Sequence, residues 1–191
     1  MPRSDADLIA RAQAGDRRSF DELVTRSYTL VFNTAFRILG DTDHAADATQ
    51  LAYVRAYRSL GSFRGSSSFT TWLYRIVTNV CLDMVRGQQR QPLSLTPTSP
   101  DAPPPDRDLR DVRAGPEDLV LQTELQAAVH EALQRLRPEH RAVLALYDLA
   151  GMPYEQIADV LGLPLGTVKS RLNRARHALR EELAGYWEPS D

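Results

Sequence analysis

Apolar residues recur every three or four positions through most of the chain, and no stretch alternates in strand fashion for long. Residues 5–14 form a short periodic run closed by Gly15. Residues 17–39 follow, with Phe20, Leu23, Val24, Leu30, Val31, Ala35 and Leu39 on the repeating face and Gly40 at the end. The spacing predicts a third helix over 43–60, capped by Asp43 and closed by Gly61, and a fourth over 69–88 carrying Trp72, Leu73, Ile76, Val77, Val80 and Val85. Four more are predicted near 116–136, 138–150, 154–161 and 165–183. The expected fold is all-α, with no internal repeat.

The pattern breaks once. Residues 91–116 contain seven prolines and little apolar periodicity. Proline removes backbone donors and disfavours helix at the preceding residue, so this segment is expected to be an extended linker. The chain is therefore expected to fold as two small helical domains, 1–90 and 117–186, joined by the stretch 91–116.

Charge changes this picture. The whole chain carries a net charge of −2 with a pI near 6.1. By segment, 1–90 holds 12 basic and 9 acidic residues, 91–125 holds 3 and 7, and 126–191 holds 8 and 9. The acidity sits in and just after the linker and hides a basic N-terminal unit. A basic stretch, "GLPLGTVKSRLNRAR", lies in the C-terminal unit. It has four basic residues and no acidic one, and its Lys169 is the only lysine in the protein.

Other classes drop out. No apolar stretch approaches the roughly 18 residues of a membrane span, so direct membrane insertion is not expected. The charged N-terminus is not a secretory signal, and a cytoplasmic protein is the default. The single cysteine, Cys81, lies in an apolar helical run; a buried small side chain is expected, with a redox thiol as the alternative. No metal-spaced cluster, nucleophile–base pair or phosphate-cradling loop points to an enzyme, and no cofactor is expected. The short tail after the last helix carries no expectation of an attached regulatory domain.

The segments 154–161 and 165–183 read as a helix-turn-helix. Gly162 permits a left-handed turn and Pro164 suits the start of the next helix. On a helical wheel Val168, Leu172, Ala175 and Leu179 share one side. Ser170, Asn173, Arg174 and His177 lie opposite, with Lys169, Arg176 and Arg180 along one border and Arg171 along the other. An α-helix of this kind fits the DNA major groove, where Arg, Lys, Asn and Ser can bond base edges and bordering arginines reach phosphates. Thr167, Lys169, Ser170, Asn173 and Arg174 are the expected base-proximal residues. Arg171 and Arg176 are expected on phosphate or in intramolecular pairs. The plain alternative is a solvated amphipathic helix.

A second motif is "YRSLGSFRGSSSFTTWLYRIVTNVCLDMVR". Phe63, Phe69, Trp72 and Tyr74 are interleaved with Arg58, Arg64, Arg75 and Arg86. Rings can stack on unpaired bases while arginines follow the phosphates. The loop Arg64, Gly65, Ser66, Ser67 could hold a base taken out of the stack. The alternative is that Phe69 and Trp72 close a helical bundle as core residues.

Both motifs resemble one family. The run R-P-E-H-R-A-V-L-A-L, Y-E-Q-I-A and G-T-V-K-S-R-L-x-R-A-R is similar to region four of the extracytoplasmic-function group of bacterial sigma factors. The run A-Y-R-S-L-x-S-F-R-G-x-S-S-F-x-T-W-L-Y-R-I-x-x-N is similar to region two of the same group. The resemblance implies that the helix over 165–183 reads the duplex −35 element. It implies that the Phe63–Phe69 loop captures a base of the melted −10 strand and that Asn79 contacts a neighbouring base. It implies core RNA polymerase and promoter DNA as partners, and an anti-sigma factor as regulator. Asp47 and Gln50, which share a helical face with Val54, correspond to a polymerase-docking pair. The family usually continues this pair with glutamate; here Leu51 follows, removing an acidic contact and adding an exposed apolar one. Pro153 stands where the family often has serine.

The expected function is therefore that of an alternative sigma factor directing promoter-specific initiation. Two other readings remain open on the sequence. One is a stand-alone helix-turn-helix regulator with an N-terminal sensory bundle. The other is a sigma-like interaction protein that does not initiate transcription, which Leu51 favours.

Overall fold

The computed structural model describes the backbone of residues 3–90 and 116–187 and the side chains of 3–87 and 124–184. The expected linker, apart from Pro116, lies outside the described residues. Every described element is helical.

Local signals explain most helix ends. Helix α1 (Asp5–Gln13) is capped by Ser4, whose hydroxyl accepts from the Asp7 backbone N–H at 3.2 Å. Helix α2 (Arg17–Leu39) starts at Asp16, whose carboxylate accepts from Ser19 Oγ at 2.8 Å and from Arg18 N at 3.1 Å. The Ser19 hydrogen bond, helped by Arg11, holds the Asp16 carboxyl below its ordinary range. Gly40 ends α2 with φ at 82°, a left-handed conformation, and a side chain there would also collide with Gln134. Helix α3 (Thr42–Ser59) is capped by Asp41 and not by the expected Asp43. Asp41 has the extended backbone of a cap and accepts from His44 N at 2.8 Å, which leaves Asp43 inside the first turn. A 3-10 turn, Leu60–Ser62, precedes a loop and helix α4 (Phe69–Arg90).

These helices share one core. Leu8, Leu23, Val31, Ile38, Leu73, Val77 and Val80 are almost fully buried. Helix α3 contributes Ala45, Ala48, Ala52 and Ala56, small residues that let it approach its neighbours closely. Ser27 Oγ and Tyr53 OH lie 2.9 Å apart inside the bundle, so the buried hydroxyls satisfy each other. Cys81 is fully buried there, and burial pushes its thiol up to about 12. That makes it a poor nucleophile and fits the packing role over the redox one.

The second unit begins with α5 (Pro116–Arg135) and α6 (Pro138–Leu144). The helix expected over 138–150 does not run through. Ala145–Leu149 is a π turn, in which Ala150 N bonds Ala145 O at 3.2 Å and Met152 N bonds Leu146 O at 3.1 Å. Helix α7 (Tyr154–Leu161) ends at Gly162, with φ at 63° as the tight turn requires, and α8 (Leu165–Trp187) follows. Leu133, Leu136, Val143, Leu146, Ile157, Val160, Val168 and Leu172 form its core.

The two units touch. Tyr74 of α4 is buried in the second core, and Ala142 and Ala145 join the first. The His130 ring stacks on Phe36 at 4.8 Å, and its Nε2 lies 3.1 Å from Gly40 O. Arg141 is buried among these contacts and donates to the backbone and side-chain oxygens of Gln134. Arg141 Nε, Gln134 Nε2 and Thr78 Oγ1 are buried with no hydrogen-bond partner among the described residues.

Candidate nucleic-acid interface

Helix α8 separates its two faces as the wheel predicts. Val168, Leu172 and Ala175 are buried against α6 and α7, and Leu179 is half-buried. Lys169, Ser170, Asn173, Arg174, His177 and Arg180 are exposed, while Thr167 and Arg171 are half-buried at its start and edge. Ser170 donates its hydroxyl proton to Thr167 O at 3.0 Å, so its oxygen is left mainly as an acceptor. His177 pairs with Glu181 at 3.4 Å on the open surface.

Arg176 makes contacts within the chain. Its guanidinium lies 4.6 Å from the centre of the Tyr147 ring and 3.4 Å from Asp148. Tyr147 in turn stacks on Tyr154 at 5.3 Å. The π turn brings Tyr147 and Asp148 to this face, so Arg176 ties α8 to the preceding segment. His140, half-buried at the start of α6, lies near Arg137, Arg171 and Arg174. Burial, reinforced by these cations, lowers its pKa. No local sequence signal places His140 beside α8, because Arg171 and Arg174 lie more than thirty residues further along the chain.

The N-terminal motif is also assembled on one surface. Phe63, Phe69 and Trp72 form a cluster with ring centres 5.1 to 6.0 Å apart. Phe69 is buried and packs against the other two, which are half-buried, and the little of it that is exposed lines the groove beside this loop. Tyr74 points the other way, into the second core. Arg64, Gly65 and Ser66 are exposed and Ser67 is half-buried. Gly65 turns the loop with φ at 70°. Arg75 and Asn79 are exposed one turn apart on α4, continuing from the loop.

A groove of about 480 Å³ runs beside this loop. One wall is the loop, including Phe63, Gly65 and Ser67; the other is α1, through Asp5, Ile9 and Gln13. That volume admits a base-sized ligand. Nothing in the sequence pattern of α1 marks this contribution, since it reads only as an amphipathic helix.

Asp47 and Gln50 are exposed on α3. Leu51 and Val54 next to them are 39% and 44% exposed, so the apolar position expected at Leu51 does face solvent. No group of His, Cys, Asp and Glu side chains that could hold a metal ion occurs among the described residues. No helix of the described residues is long and apolar enough to cross a membrane.

Comparison with known proteins favours the sigma-factor reading over the other two. The model for sigma-70 region 2 matches residues 23–91, and the model for sigma-70 region 4 matches residues 126–179. The chain is 39% identical over 181 residues to the RNA polymerase sigma-H factor of Pseudomonas aeruginosa, covering 94% of this chain and 93% of the relative. The chain belongs to the extracytoplasmic-function group of the sigma-70 family. It is also 36% identical over 178 residues to the ECF RNA polymerase sigma-E factor of Escherichia coli, covering 92% of each. Its fold is similar to CnrH, solved in complex with the cytosolic domain of CnrY, with a TM-score of 0.66, 27% identity and coverage of 95% and 97%. This sigma factor is thus an alternative initiation factor that directs transcription, and its family consists of transcription regulators.

Proposed function

We propose a division of labour within this sigma factor. Residues 1–90 engage core RNA polymerase through Asp47 and Gln50 and hold the melted −10 strand. The Arg64–Ser67 loop takes one base into the groove beside α1, against Phe63 and Phe69, with Trp72 packed on both rings as support. Arg75 follows the backbone and Asn79 contacts the next base. Residues 117–186 read the duplex −35 element through Thr167, Lys169, Ser170, Asn173 and Arg174, with Arg171 on phosphate. The stretch 91–116 connects the two. Arg176 leaves the DNA-facing set, because its charge is already engaged.

The observation that carries this reading is the pairing of an exposed polar strip on α8 with a base-sized groove flanked by aromatics and cations on the other unit. Major-groove and single-strand binding need these two different chemistries. The protein acts without catalysis, by positioning the polymerase. It works in the cytoplasm, and an anti-sigma factor is its regulator. CnrH was solved bound to a protein partner, which supports that last assignment.

In vitro transcription with core polymerase tests the scheme. Promoter-specific transcripts that depend on this chain are expected. Specific DNA binding without polymerase and no dependent transcripts would instead fit a stand-alone regulator. A protein that does neither would fit the interaction-protein reading.

A further inference from the structure

Gln13 is the last residue of α1, and its side-chain amide reaches a segment far away in sequence. Its Nε2 donates to Leu60 O at 2.9 Å and to Phe63 O at 2.9 Å. Leu60 O also accepts from the Phe63 backbone N–H at 3.0 Å, so the side chain closes the 3-10 turn just where the loop begins. The amide has two protons, and both are used on this turn.

The far end of the loop is fixed separately. Ser68 Oγ accepts from Thr71 N at 3.0 Å and lies 2.8 Å from Thr71 Oγ1, capping α4. The four residues 64–67 are strung between these two anchors. Helix α1 is itself held: Leu8 and Ala12 are buried, and Arg26 of α2 reaches Asp5 at 2.8 Å and Arg3 O at 2.9 Å.

We propose that Gln13 is a positioning residue for base capture: by pinning Leu60 O and Phe63 O, it sets the width of the groove between α1 and the Arg64–Ser67 loop, and so which base that groove accepts. This rests on the reading of the loop as the capture site. No other described side chain hydrogen-bonds the carbonyls at the loop entrance, so the anchor is specific to this position. A lysine there retains three donors on a flexible stem, whereas methionine keeps the shape and offers none.

The test compares Gln13→Met and Gln13→Lys in the full chain. Hydrogen exchange of peptides covering residues 60–69 reads the anchor in the free protein. Holoenzyme formed with core polymerase reads function on a duplex recovered from a random DNA pool by the wild-type holoenzyme, with each of the four bases placed in turn at the −10 positions. For Gln13→Met, exchange in the loop is expected to quicken, by about 3–10-fold for a loss worth about one net hydrogen bond. Isomerisation to the open complex is expected to slow by a similar factor, roughly 3–10-fold, while initial promoter binding holds and base discrimination flattens. Gln13→Lys restores both. Unchanged loop exchange in Gln13→Met overturns the proposal.

Faster exchange with unchanged isomerisation and discrimination also overturns it. Gly65→Val then separates the two levels, because it distorts the loop without touching Gln13. If Gly65→Val slows melting, the capture reading stands and only Gln13's role fails. If it does not, the loop is not the capture site and both fail.

Discussion

The two surfaces proposed to face DNA in this sigma factor are held in opposite ways. On α8 the exposed strip rides on a regular helix, and its position is set by Val168, Leu172 and Ala175 buried beneath it. On the other unit the Arg64–Ser67 loop has no regular structure of its own. It is placed by a few hydrogen bonds at its ends, one left-handed glycine and the ring cluster behind it. A surface that meets intact duplex can be rigid, since the bases it reads arrive already paired and stacked. A surface that receives an unstacked base has to shape a pocket, and a short anchored loop does that with little material. The difference teaches where damage should spread: from the core outward on α8, and only locally on the loop.

The strongest way to break the contrast is Leu172→Ala. Removing a fully buried leucine should cost about 2–5 kcal/mol. Urea denaturation should show it, and −35 binding should fall with the fold. If −35 binding survived such a loss, α8 would not depend on its core. Arg174→Ala comes next. It should weaken discrimination among −35 variants by about 1–3 kcal/mol with the melting temperature unchanged, measured by competition binding of holoenzyme. Equal affinity for all variants would remove Arg174 from the reading set.

Asn79→Ala probes the other surface. Open-complex formation should drop by about 2–10-fold while −35 binding is retained. Permanganate reactivity at −10 thymines is the readout, and wild-type reactivity would count against the assignment. Arg176→Ala sharpens the comparison by doing little to DNA. Its loss should lower stability by about 1 kcal/mol or less and leave −35 selectivity intact. A clear loss of selectivity would put Arg176 back on the DNA.

The smallest effect is a pH dependence. His140 has a lowered pKa in the folded state, so the fold favours its neutral form. Its contribution is fully present above the unfolded value near 6.5 and is lost as pH falls from there through the lowered folded pKa. Thermal melts of the wild type should therefore decline more steeply below pH 6.5 than those of His140→Gln. Parallel declines would show that His140 contributes nothing. DNA phosphates brought near Arg171 and Arg174 would offset those cations and raise the His140 pKa, so binding should take up protons at mildly acid pH.

Much of this architecture was legible before the structure. Gly15, Gly40 and Gly162 mark helix ends because each adopts a positive φ that few other residues tolerate. The core stripe of α8 followed from spacing alone. Asp41 and Asp43 stand two apart in one polar stretch, and only the backbone geometry shows which one caps α3. The π turn at Ala145–Leu149 carries no local signal, because one widened turn leaves the apolar spacing nearly intact. Gln13 was invisible for a different reason: its partners are carbonyls 47 and 50 residues away, and a backbone acceptor has no side-chain identity to read. Arg176 was half legible, since its charge could be seen but not the ring that engages it.

Lys169 has one more consequence. It is the only lysine in the chain, and it stands exposed on the second turn of the recognition helix. Among the side chains of this sequence an amine-directed reagent therefore has one address, on the helix proposed to face DNA. A fluorophore attached at Lys169 would report duplex engagement from one defined spot. An acetyl group there would remove a positive charge from that helix and touch no other lysine.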